Sequence, residues 1–62
     1  MKVIVTSPDA IIDNTTGKPF EGVVDALYGF KQLDKDNEIV AVSIDKKSFD
    51  GLPDFIQCLH IN

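Results

Sequence analysis

Sixty-two residues, 44% hydrophobic and 26% charged, have the size and composition of one small soluble globular domain over residues 1–62, and exclude disorder, collagen-like repeats and low complexity. Ten acids against six bases give a net charge of −4, and the bases are all lysines. Without a guanidinium to grip phosphate or base edges in two places at once, nucleic acid is not an expected partner.

The single cysteine, Cys58, excludes an internal disulfide and fits a reducing, cytoplasmic setting. The opening apolar run Val3-Ile4-Val5 is too short for a signal peptide or a membrane span, so no membrane partner is expected. Asn14-Thr15-Thr16 spells a glycosylation sequon, but with no export signal it reads as a turn.

Residues 1–6 are β-branched and apolar without alternation, the pattern of a strand covered on both faces. Residues 7–18 hold Pro8, Asp9, Asp13, Asn14 and Gly17, a density of turn formers that predicts a long loop, within which Ala10-Ile11-Ile12 can pack down. Phe20, Val23, Val24, Leu27 and Phe30 recur at helical spacing, and Glu21 and Asp25 sit early, where the helix dipole favours negative charge. A helix over residues 20–33 follows. Gly22 and Gly29 inside it each cost up to about 1 kcal/mol relative to Ala, which predicts a compensating close approach to a sheet.

After a polar stop, residues 38–43 read as a second strand with four consecutive apolar positions. Two parallel strands joined by a helix form a right-handed crossover, which places Ser7 and Ser43 at one sheet edge, where ligands of α/β folds bind. In the last third, Pro53 can open a helix carrying Leu52, Phe55, Ile56 and Leu59 at helical spacing. A short strand over residues 55–61 is the competing reading. The expected fold class is therefore α/β, a strand-helix-strand-helix unit with a short parallel sheet.

Val3-Ile4-Val5-Thr6 with Ser7-Pro8-Asp9-Ala10-Ile11, then Lys18-Pro19-Phe20-Glu21-Gly22-Val23-Val24, then Ile39-Val40-Ala41-Val42-Ser43 together resemble the first half of a haloacid dehalogenase-like hydrolase domain, over residues 2–55. In that family the first strand ends in Asp-x-Asp-Gly-Thr and the second in Ser or Thr. The chemistry takes a carboxylate nucleophile, a second carboxylate as acid/base, and Mg²⁺ to offset phosphate charge. Here Ser7 stands at the nucleophile position, Asp9 at the acid/base position, and Ala10 and Ile11 replace the Gly and Thr. Ser43 matches the phosphate-binding hydroxyl, while the family's later lysine and acidic pair have no counterpart before Asn62. The resemblance implies a catalytically silent half-fold, with no catalytic residue, no metal and no cofactor. Its alternative is a Mg²⁺-dependent phosphate-binding or phosphatase remnant built on Ser7, Asp9 and Ser43.

Other chemistry is weakly supported. Ser7, His60 and a carboxylate lack the Gly-x-Ser-x-Gly turn of a hydrolytic nucleophile. Cys58 and His60 are too few ligands for zinc, so a small buried thiol and a surface imidazole are the default. Asp34, Asp36, Asn37 and Glu38 lack the order of a calcium loop and read as a solvated turn. Asp9, Asp13, Asp45, Asp50 and Asp54 can gather beyond the strand ends as an acidic face suited to a basic partner.

A parallel sheet needs cover on both faces, and one clear helix with a second weaker one falls short. A second copy of the chain is the simplest source, burying sheet surface or Phe49, Phe55, Ile56 and Leu59 across a two-fold axis. The functional expectation is thus a homodimeric, non-enzymatic protein-binding module, an acidic inhibitor or adaptor. By association of size alone, the expected class is that of phage-type inhibitors of host proteins and antitoxin-like proteins.

Overall fold

The computed structural model describes residues 1–62. In chain order it comprises β1 (Val3–Thr6), a 3-10 turn (Pro8–Ala10), β2 (Ile12–Asp13), β3 (Lys18–Pro19), α1 (Glu21–Leu33), β4 (Glu38–Ser43), a second 3-10 turn (Lys46–Phe49) and β5 (Gln57–His60). Strands β1, β4 and β5 form a three-stranded parallel sheet in the order β1-β4-β5, and β2 and β3 form a separate antiparallel hairpin. No helix is long and apolar enough to cross a membrane.

The first strand, the helix and the second long strand form where their apolar patterns place them. Inside the expected loop, Phe20 N–H donates to the Ile11 carbonyl at 2.7 Å, and Ile12 pairs with Pro19. This folds the Asp13–Lys18 turn back and drives Ile11 and Ile12 inward. Gly17 closes that turn at φ +73°, a left-handed conformation that an L side chain adopts only with strain.

The second helix is not formed. Residues 50–56 run as turns closed by Leu52 N–H to the Phe49 carbonyl and Ile56 N–H to the Pro53 carbonyl, and residues 57–60 take the competing strand reading. Pairing from Val40↔Gln57 to Ser43↔His60 satisfies the edge of β4 that would otherwise be bare, a long-range gain that outweighs local helical spacing. The fold class is accordingly a small mixed α/β domain with one α-helix and a short parallel sheet.

Side chains alternate across the sheet. On β4, Ile39 and Ala41 are fully buried and form the core with Ile11 and Ile56. Val23, Val24, Leu27 and Phe30 of α1 pack on that core from one connection, and Phe49, Leu52 and Phe55 pack on it from the other. Both connections therefore cover one face. Strand order explains this: successive right-handed crossovers stay on one side of a parallel sheet unless the order of strands reverses, and β1-β4-β5 advances without reversal. The sheet is accordingly bare behind β1, where the continuous apolar run predicts cover on both sides: Val3 and Val5 are 51% and 68% exposed.

Gly22 and Gly29 also depart from expectation. Both are exposed, and a Cβ on either would meet nothing within 4 Å, so they lie on the solvent side of α1 and make no close approach to the sheet.

Candidate functional site

Parallel pairing of Thr6 with Ala41 brings Ser7 and Ser43 to the same C-terminal edge of the sheet, as a crossover unit requires. Asp9 stands beside them in sequence, exposed on the Pro8–Ala10 turn. The Ser43 hydroxyl is already engaged: Oγ accepts the Asp45 N–H at 3.0 Å and shares a 2.8 Å hydrogen bond with Ser48 Oγ. Ser48 in turn lies 2.6 Å from the Asp45 carbonyl, so this network shapes the start of the second 3-10 turn. Open α/β sheets hold ligands in a crevice where the strand order switches direction, and an order of β1-β4-β5 contains no such switch.

Clefts lie elsewhere. One of about 400 Å³ sits between the β3–α1 corner and Pro53, and one of about 290 Å³ lies under the N-terminus near Leu33 and Asn37. Ser7, Asp9 and Ser43 line neither. No three His, Cys, Asp or Glu side chains converge to hold a metal ion.

Several acids shape backbone instead. Asp13, Asp34 and Asp45 each accept an N–H two residues ahead, from Thr15, Asp36 and Lys47 at 2.8, 2.9 and 3.0 Å. These are Asx turns, the local use to which Asp is suited by its short side chain. His60 is exposed, with Nε2 at 3.0 Å from the Ile44 carbonyl. Cys58, expected to be a buried thiol, is exposed because β5 is an edge strand that the cover over Ile39 and Ala41 does not reach.

Among the expected partner-binding residues, Ile56 is 5% exposed and belongs to the core, while Phe49 and Phe55 are half-buried against it. Phe55 also meets Tyr28 of α1 edge to face, with ring centroids 5.6 Å apart. Leu59 alone is open, at 50%. Its register against Val42 puts it on the bare face of the sheet, together with Val3, Val5 and half-buried Val40.

That face gathers apolar side chains from all three strands of the sheet. It is bordered at one end by Glu38, which accepts from Gln57 Nε2 at 2.6 Å and lies 3.6 Å from the Lys31 ammonium. Its sole carboxylate is thus paired. The face was hard to locate from sequence, because apolar runs in β1 and β4 give no sign of which side the connections take. No protein family, curated protein or solved structure matches the chain.

Proposed function

We propose that this chain is a non-catalytic protein-binding module, an inhibitor or adaptor on a degenerate haloacid dehalogenase-like scaffold, and that it binds through the bare face of its parallel sheet. One observation carries the reading: Val3 and Val5 on β1 and Leu59 on β5, bridged by Val40 and Val42 of the central strand, share one apolar face of a strand type that is ordinarily covered. Burial of such a surface is the main driving force of association, and its β-branched valines lose little rotamer freedom on contact.

The phosphate-binding alternative has weaker support. Ser7 replaces the nucleophilic carboxylate, and the Ser43 hydroxyl is committed to Asp45 and Ser48. The reading is tested by affinity purification with the wild-type chain beside Val5→Lys, followed by mass spectrometry. Proteins, a second copy of this chain included, that the wild type retains and Val5→Lys loses are expected. Mg²⁺-dependent hydrolysis of a simple phosphate ester that Asp9→Asn abolishes would overturn it.

A further inference from the structure

Resting on that reading, we propose that the partner of the bare sheet face is a second copy of this chain, packed face to face across a two-fold axis. Area is the first ground. A monomer of 6.8 kDa is expected to expose about 3,950 Å² by the surface-to-mass scaling of globular proteins. This chain exposes 4413 Å², roughly 450 Å² beyond that scaling. The shape agrees with such a surplus: the Cα trace spans 30 × 27 × 15 Å, a slab of one sheet layer and one covering layer. Two copies that each cover a face the size of that surplus bury roughly 900 Å² in total, just under the ~1,000 Å² that a specific interface clears, and so in the weak, reversible class.

Charge is the second ground. The molecule carries −4 overall, yet Val3, Val5, Val40, Val42 and Leu59 are uncharged, and the two polar side chains that share their face, Glu38 and Gln57, hydrogen-bond each other, with Lys31 beside the Glu38 carboxylate. A mainly apolar plane whose one carboxylate is already paired suits another of the same kind, and a second copy presents one. A two-fold axis makes the patch complementary to itself, with strands of the two sheets about 30° apart and the layers ~10 Å from each other. The acids in the turns at Asp13, Asp34 and Asp45 lie outside the strands of this plane, so their repulsion across the axis is screened by water and salt.

Sedimentation velocity from micromolar to millimolar concentration tests this. The wild type is expected to pass from monomer to dimer with a dissociation constant on the order of tens of micromolar, as suits an interface at the small end of the range. Val5→Lys and Leu59→Lys, on separate edge strands and already half or more exposed, are each expected to weaken dimerisation at least about tenfold, since a lysine would be desolvated in the contact. Leu33→Lys, at the end of α1 and 84% exposed, is expected to leave it unchanged. Far-UV circular dichroism checks that each variant is folded. A wild type that stays monomeric throughout, or a dimer that both face variants leave intact, would overturn the proposal. A wild type that stays monomeric yet captures another protein in a Val5-dependent way removes the second copy but not the binding reading, so the two fail separately.

Discussion

Asn37 does the work of a junction at a single position. It is a buried polar side chain, 4% exposed, and both ends of its amide are used. Nδ2 donates to the Phe30 carbonyl at 3.0 Å, in the last turn of α1 where carbonyls lack helical partners, and Oδ1 accepts the Lys2 N–H at 3.0 Å. Its own carbonyl accepts from Lys31 Nζ at 2.6 Å, tying the helix end to the start of β4. Asn37→Ala strands a donor and an acceptor and is expected to cost about 1–3 kcal/mol. Asn37→Asp keeps the volume but sets a carboxylate oxygen against the Phe30 carbonyl at the negative end of the helix dipole, so it should not rescue. Urea unfolding free energies within a few tenths of a kcal/mol of wild type for both variants would contradict this assignment. In sequence, Asn37 is one of five consecutive polar residues after Leu33, and nothing in that run marks which of them turns inward.

At the scale of elements, α1 carries two glycines for which the packing gives no reason. Gly29 sits in the helix interior, facing solvent with open space where a Cβ would go. Gly29→Ala is expected to stabilise by about 0.5–1 kcal/mol, mainly by restricting the unfolded chain. In a domain of this size that corresponds to a rise of roughly 2–8 °C in the thermal midpoint. Gly17→Ala, at φ +73°, is expected to move the midpoint the other way by a comparable amount. Equal midpoints for the two variants would show that backbone conformation is not what distinguishes the sites.

How much of this was legible depends on what each element needs. α1 and β4 declare themselves because their own side-chain periodicity settles their state, and β4 begins and ends at Glu38 and Ser43 as read. β5 does not, because Gln57–His60 becomes a strand through pairing with β4 rather than through its own pattern. The two-residue ladder of β2 and β3 is equally a product of contact, held by the Phe20 to Ile11 hydrogen bond. The crossover edge with Ser7 and Ser43 was readable from topology, whereas the engagement of Ser43 by Asp45 and Ser48 depends on a turn that sequence spacing does not specify.

For the whole molecule, thin cover sets both stability and behaviour in solution. The central cluster is Ile11, Ile39, Ala41 and Ile56, and no residue of α1 is fully buried. A domain of this length is expected to have about 3–9 kcal/mol of stability in total. Closing the bare face with a second copy would add to that by mass action, since the folded chain binds the partner surface and the unfolded chain has none. At a free concentration tenfold above the dissociation constant the gain is about 1.4 kcal/mol. That predicts a thermal midpoint several degrees higher at millimolar than at micromolar concentration, measured by calorimetry and by circular dichroism. Val5→Lys removes the contact while leaving the core residues Ile39 and Ala41 untouched, so its midpoint should match the dilute wild type and stay flat with concentration. A wild-type midpoint that is itself flat over that range would mean that the bare face contributes nothing to folding through self-association, and that the slab is stable with Val3 and Val5 in water.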